Sequence, residues 1–422
     1  MFYRSIFHHR QFRYLGAFYL HSLIRLFAIS VFQIFSSIYI YQNLLKFGVS
    51  NQFALGITAL FFALIFLVQA LSVAPVLWLI SKKGLRFSAL LGNIFLICFL
   101  ATLYLSKFDP IFLIITAVLG GLQIALYWIA YHIYLVELSD DKNQGEEIAL
   151  GNSLSSIASI GGPAFGGLII YYFGFGALFI IMAITTVVAT FPLKFLPARK
   201  NIIAIDIVKT VTALSPKREQ RSYLAFLGIG VIDVVTWYFW PLFIFPIMAG
   251  FAGVGFIGSL IVLVSSVTNI ITGWMIDKFG AKKVINILSP LDSLVWVFRI
   301  FVTTPLRVFV ASTGQALTTT GQVITLDAMV YERARHTDIA AFIVQREIGL
   351  SLGRFLFLIS VGVLFWFGMP FKFVFIFAAA AALLPRFYPA ESLAKDKVKH
   401  DGTLLTDIIK NPEEFTKQDT KP

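Results

Sequence analysis

Charge is what this sequence has least of. Only 13% of its 422 residues are Asp, Glu, Lys or Arg, while 58% are hydrophobic. A soluble domain is about a quarter charged, so there are too few charges here to cover a water-facing surface. Cysteine is nearly absent: Cys98 stands alone inside an apolar run, which excludes a disulfide framework and a cysteine-built zinc site. No G-x-x-x-x-G-K-[ST] loop occurs, and no polar segment is long enough for a nucleotide or catalytic domain, which argues against an ATP-driven pump. No nucleophile–base cluster is visible, so we expect no enzyme, no cofactor and no metal. The net charge of +12 is spread over alternate loops rather than gathered in one stripe, which argues against nucleic-acid binding.

What is present in abundance is apolar run. A crossing helix needs about 20 mostly apolar residues, and twelve such stretches can be marked out. The first six are 14–41, 53–80, 86–106, 110–136, 147–171 and 175–196. The second six are 222–248, 252–276, 284–303, 306–331, 339–366 and 370–388. The first stretch is too long for a signal-peptide core and lacks a small-residue cleavage site, so it reads as a span. Basic residues concentrate in Arg4, Arg10 and Arg13, in Lys82, Lys83 and Arg86, in the 197–221 linker, and in Lys278, Lys282 and Lys283. The opposite loops hold only Lys46, Lys107, Arg307 and Lys372. Both termini are therefore expected in the cytoplasm, which requires an even number of spans. The expected organisation is an N-terminal half at 1–196, a cytoplasmic linker at 197–221, a C-terminal half at 222–388 and a disordered tail at 389–422.

The two halves share landmarks in the same order. Arg25 in span one is matched with Asp233 in span seven, the turn glycine Gly84 with Gly280, and Glu137 with Glu332. The pair Gly162-x-x-x-Gly166 is matched with Gly349-x-x-x-Gly353. We read the chain as an all-α membrane protein of twelve transmembrane helices in two pseudo-symmetric six-helix bundles.

The segment Gly273-Trp-Met-Ile-Asp277-Lys278-Phe-Gly280-Ala-Lys282-Lys283 resembles the loop motif G-x-x-x-D-[RK]-x-G-x-[RK] of the major facilitator superfamily. It falls between spans eight and nine, where that family has its second copy. The copy between spans two and three keeps Lys82, Gly84 and Arg86 but has Ser81 in place of the acid and Leu77 in place of the first glycine. The resemblance covers residues 10–388. In span five, Gly162-Pro163-Ala-Phe-Gly166-Gly167 resembles the core of a G-P-x-x-G-G motif that the family associates with proton-coupled exporters. Ala158 and Ala149 replace its upstream glycines. The same small residues also fit a plain helix-packing contact. Charge pairing suggests a latch, in which Lys278, Lys282 and Lys283 grip the acidic loop of Glu137, Asp140, Asp141, Glu146 and Glu147. Solvated pairs of that kind contribute only ~0–1 kcal/mol each, as a reversible switch requires.

Charges at the middle of a span cost about 2.5–3.5 kcal/mol on insertion scales and so point to function. The resemblance implies a central cavity lined by spans one, four, seven and ten, and those spans carry polar stripes. Span one presents His21, Arg25 and Ser36; span four Gln123, Tyr127 and Tyr134; span seven Asp233, Trp237 and Trp240; span ten Gln315, Thr319 and Gln322. Asp233 is the first candidate for proton coupling, with Arg25 as its expected partner, since burial favours a neutral carboxyl and a facing guanidinium a charged one. Glu347, two turns from Arg354 in span eleven, is the second. Asp292 and Arg299 in span nine read as structural, and His132 and Asp327 as helix-end or gate residues.

The expected function is alternating-access transport of a small molecule across a plasma (cytoplasmic/inner) membrane of a prokaryote, coupled to protons, as export, by a monomer in the lipid bilayer. Alternatives are an uptake symporter whose Arg25 binds an anionic metabolite, an amphipathic-lipid transporter, or a non-transporting sensor or assembly partner.

Overall fold

The computed structural model describes residues 2–138, 159–197, 216–335 and 339–389. No strand occurs among them, as expected where no water is available to satisfy the backbone and each N–H must find its carbonyl within its own segment. The helices are α1 (Phe2–Gln33), α2 (Ser36–Lys46), α3 (Asn51–Lys83), α4 (Leu85–Leu105), α5 (Phe112–Leu138), α6 (Gly162–Leu193) and α7 (Pro216–Val234). They continue with α8 (Trp240–Ile244), α9 (Phe251–Phe279), α10 (Ala281–Phe298), α11 (Pro305–Arg335), α12 (Ile339–Trp366) and α13 (Phe373–Ala381).

Nine helical stretches among the described residues are long and apolar enough to cross a membrane. Three of the expected spans account for the difference from twelve. Spans five and six form one unit, α6, which is bent at Gly174, where φ is +76°. Its first arm runs along the first span from Ser30 at Gly162 to Tyr39 at Phe175, and its second returns to His21 at Ala189. Span ten, α11, has the length but is too polar. Span twelve is a short apolar stretch, Phe373–Phe387. The linker residues 198–215, the acidic segment 139–158 and the tail from 390 lie outside the described residues.

The internal repeat is built into the packing. Gly84 and Gly280 both have left-handed backbone, with φ of +89° and +82°, and each joins two long helices. Only glycine adopts that conformation without a steric penalty. Gly162 and Gly166 lie against Ser30 and Val31, and Gly349 and Gly353 against Phe226 and Leu227. Ser30 and Phe226 are 196 positions apart, as are Val31 and Leu227 and the two turn glycines. At that offset Asp233 is level with Ser37 and Arg25 with Arg221. The matching of Arg25 with Asp233 is therefore corrected: the helix contacts, not the charges, set the register of the repeat.

The halves meet along two seams. α3 runs antiparallel to α12, from the stacked Phe53 and Trp366, past Gly56 and Gly362, to Gln69 and Glu347. α6 meets α9, where Gly167 touches the Phe251 carbonyl and Gly255 and Gly258 touch Pro163. Phe53, Trp366 and Phe251 lie at the helix ends remote from Lys82–Lys83 and Lys278. At that remote end the halves are drawn together by glycine, because only a missing Cβ lets two backbones approach so closely.

Replacing Gly255 with Val places a side chain on the Pro163 carbonyl. We expect a loss of about 1–3 kcal/mol in thermal or denaturant unfolding of the purified protein, the usual cost of overpacking. Gly273, also a motif glycine, has open space around it. Gly273→Ala should stay within about 0.5 kcal/mol of wild type in the same assay.

Candidate functional site

The polar residues expected in one cavity are divided by the structure among four places. The first is an ion pair facing the boundary between the halves. Asp233, near the end of α7, accepts from Arg354 of α12 through Oδ2 and Nη2 at 2.6 Å, with side chains 32% and 15% exposed. The guanidinium lies 5.0 Å from the ring centroid of Phe66 on α3, in the other half. Tyr238, one turn beyond Asp233, stacks on Phe62 of α3 at 3.7 Å between centroids, and its carbonyl accepts from Ser37 of α2 at 2.7 Å. Arg25 is therefore not the partner of Asp233.

A π-helical turn over Val235–Phe239 follows Asp233 directly. Such a turn spends an extra residue per revolution and often marks a functional position. It breaks the i, i+4, i+7 face drawn through Asp233, Trp237 and Trp240. Trp237 stays half-buried, whereas Trp240 turns into the C-terminal half, donating to Ser312 at 3.1 Å and lying 3.9 Å from the Arg299 guanidinium. Trp240 is thus a core residue rather than a cavity wall.

The second place is a buried cross-half network two turns along α12. Glu347 pairs with Arg346 at 2.7 Å, and Arg346 pairs also with Asp327 of α11 at 2.9 Å. From the other half, Gln69 of α3 donates to Glu347 at 3.2 Å and His132 of α5 stands 3.8 Å from it. A carboxylate held by both halves at once couples their separation to its own solvation. Gln69, Phe62, Phe66 and Tyr238 escaped the sequence reading, because a lone glutamine or aromatic in an apolar run gives no signal of which face it occupies.

The third place is inside the N-terminal half. Arg25 is fully buried, donating through Nε to Asn93 at 2.8 Å and through Nη2 to Gln123 at 2.9 Å, with the Tyr127 ring 3.3 Å beneath its guanidinium. His21 packs beside Tyr127 and hydrogen-bonds through Nδ1 to the Ala189 carbonyl. Tyr134 donates to the Pro197 carbonyl, and Ser36 to Gln33 at the break between α1 and α2. The stripes of spans one and four therefore seal against each other and against α4 and α6.

The fourth place is inside the C-terminal half. Asp292 accepts from Thr318 and Thr319 at 2.6 Å each and from Trp296 at 3.1 Å. Arg299 donates to Gln315 at 3.3 Å, and Gln322 donates to Ser289 and to the Ala382 carbonyl. The span-ten stripe of Gln315, Thr319 and Gln322 faces α10, not the other half. A hydrophilic face on a membrane helix satisfies whichever neighbour needs it, and here those neighbours are the buried Asp292 and Arg299.

Among the motif residues, Gly280 supplies the turn and Lys282 donates to the carbonyls of Arg386 and Tyr388 at 2.7 Å, fastening the end of the last span. Lys278 lies over Trp274 and Phe279, and Lys283 over Phe279. Asp277 is exposed. Asp140, Asp141, Glu146 and Glu147, the expected partners of this loop, lie outside the described residues, and the side chain of Glu137 does too. No group of three or more potential metal ligands occurs among the described residues.

Removing one member of a buried charge cluster strands the other. Asp292→Asn keeps the size and some hydrogen bonds but leaves Arg299 uncompensated. We expect a destabilisation of about 3–5 kcal/mol, read as a lower unfolding midpoint, and smaller losses for Thr319→Val.

No curated protein sequence matches this chain. Of the solved structures that match, a crystal structure of a D-xylose-proton symporter aligns with a TM-score of 0.66 at 14% identity, covering 90% of this chain and 98% of that one. At that identity the likeness is one of fold. The sequence profile of the Major Facilitator Superfamily matches residues 22–251, more than half of the chain. With two seams joining repeated halves and ion pairs at their boundary, the chain belongs to the Major Facilitator Superfamily.

Proposed function

We propose that the protein is a secondary transporter that exchanges a small molecule for protons by alternating access, in the export direction, with Asp233 as the proton-coupling carboxylate. The observation that carries this reading is the Asp233–Arg354 pair, a partly open carboxylate on α7 held by an arginine that lies over the aromatic face of the opposite half. A proton on Asp233 removes the charge that holds Arg354. The guanidinium is then drawn toward Phe66 or toward substrate, and loss of the proton restores the pair. Because the pair spans α7 and α12 and abuts α3, its state bears on the α3–α12 seam. Glu347 lies on that same seam, and we assign it a gating role: its contacts with Gln69 and His132 must break for the halves to part at that level.

Substrate would lodge between the halves beside Asp233, where half-buried Trp237 offers an aromatic surface. Export is proposed from the Gly162–Gly167 motif, whose glycines and proline bring α6 against both the first span and α9. The wider picture belongs to the same proposal: twelve crossings, both termini in the cytoplasm, a prokaryotic inner membrane and a monomeric unit.

The test is proton flux in liposomes holding the purified protein, followed with a pH-sensitive dye against a panel of candidate substrates. Wild type should show substrate-triggered proton movement, and Asp233→Asn should abolish it while still binding substrate. Glu347→Gln should retain coupling but turn over more slowly. A full signal from Asp233→Asn would transfer the coupling role to another group and refute the assignment.

A further inference from the structure

The cluster around Arg25 has a charge that nothing in it balances. The guanidinium is completely buried, and no carboxylate among the described residues lies within ion-pair distance of it. Its partners are two amide oxygens and an aromatic face. An arginine can only donate, so the oxygen of Asn93 must face Nε and its amide nitrogen is left over. That nitrogen has no partner. Neither do Nη1 of Arg25, the Tyr127 hydroxyl and Nε2 of His21. Because Nδ1 of His21 donates to the Ala189 carbonyl, its Nε2 is an acceptor, so three unused donors remain at this buried positive charge: Asn93 Nδ2, Arg25 Nη1 and the Tyr127 hydroxyl.

The other half shows what compensation looks like in this fold. Arg299 is buried to the same degree, likewise has no carboxylate within ion-pair distance among the described residues, and leaves Nε and Nη1 without a partner. What differs is a buried carboxylate on the same Trp296, Asp292, which accepts from Trp296, Thr318 and Thr319. Thr319 is the counterpart of Gln123 at the repeat offset of 196, and Asp292 stands one turn from Ser289, the counterpart of Asn93. The C-terminal half therefore carries its anion as a side chain between α10 and α11. At the corresponding place between α4 and α5 the N-terminal half has the amide of Asn93.

We propose that the N-terminal half binds a small inorganic monovalent anion of the halide type at Arg25, with Asn93 Nδ2 and the Tyr127 hydroxyl as further donors. A halide has no protons to satisfy, accepts from several directions and carries the one charge required. A water molecule would meet the donors but leave the guanidinium unbalanced. A divalent or bulky organic anion does not suit a fully enclosed cluster with a single cation. The anion is structural: it stabilises the folded half as any ligand of the native state does.

The experiment is thermal unfolding of the purified full chain in detergent, at fixed ionic strength, in sodium chloride, sodium bromide or sodium gluconate. Wild type should melt higher in both halides than in gluconate, with a gain that saturates as halide replaces gluconate. Asn93→Asp supplies the missing carboxylate, and its midpoint should be the same in all three salts. Equal wild-type midpoints in the three salts, or a halide gain that survives in Asn93→Asp, would overturn the proposal. Bromide anomalous scattering from wild-type crystals gives an answer independent of any variant. A peak beside Arg25 is expected, and a well-ordered Arg25 cluster without one refutes the site.

Discussion

A charge buried in a protein that is itself surrounded by lipid has to be compensated from within, and most of this architecture follows from that. Arg354 pairs with Asp233, Arg346 pairs with both Asp327 and Glu347, and Arg299 shares Trp296 with the buried carboxylate of Asp292. Asp292 recruits hydroxyls and an indole N–H, and Arg299 and Glu347 recruit side-chain amides, because a charge in a low-dielectric interior gains stability from each hydrogen bond it can make. Those demands fix which faces of α5, α7, α11 and α12 turn inward. The greasy outer surface, by contrast, constrains little.

Compensation within one half differs in consequence from compensation across two. Asp292 and Arg299 close on groups of the C-terminal half alone, so their bonds survive any relative movement of the halves. Glu347 is held by Gln69 and His132 from the opposite half, and Arg354 rests on Phe66. These contacts must be remade if the seams open. A polar group is thus suited to switching by where its partners reside, not by how polar it is. Glycine has the complementary part: at Gly167, Gly255 and Gly258 it brings backbones to contact at one end of the bundle. Side chains add to that seam: Ser259 accepts from the Ala164 N–H, and Phe251 packs on Phe35 and Phe175.

Much of the site was legible only as a set of candidates. Asp233, Glu347 and Arg354 announced themselves as ionisable residues in apolar runs. Their pairing did not follow, because helical spacing assumes an undisturbed 3.6-residue period. The π turn at Val235–Phe239 shifts everything beyond Asp233 and carries Trp240 away from the boundary. Gln315, Thr319 and Gln322 do share a face, as their spacing implies, yet periodicity cannot say which neighbour that face meets. Gln69 and Phe66 carried no signal, being ordinary members of a membrane helix until α12 packs beside them.

The sequence by itself determined the class. Apolar runs with few charges dictate a membrane-embedded, all-helical chain, because lipid leaves backbone groups no other partners. The turn motif at Gly280 and the recurrent glycines recorded the repeat and the family. Tertiary structure alone decided the partnerships: Arg354 rather than Arg25 for Asp233, Asn93 and Gln123 for Arg25, α10 for the stripe of α11. Ion pairing depends on distances of a few ångströms between helices far apart in the chain. Those distances are set by where glycine lets backbones meet and where a helix breaks its own period.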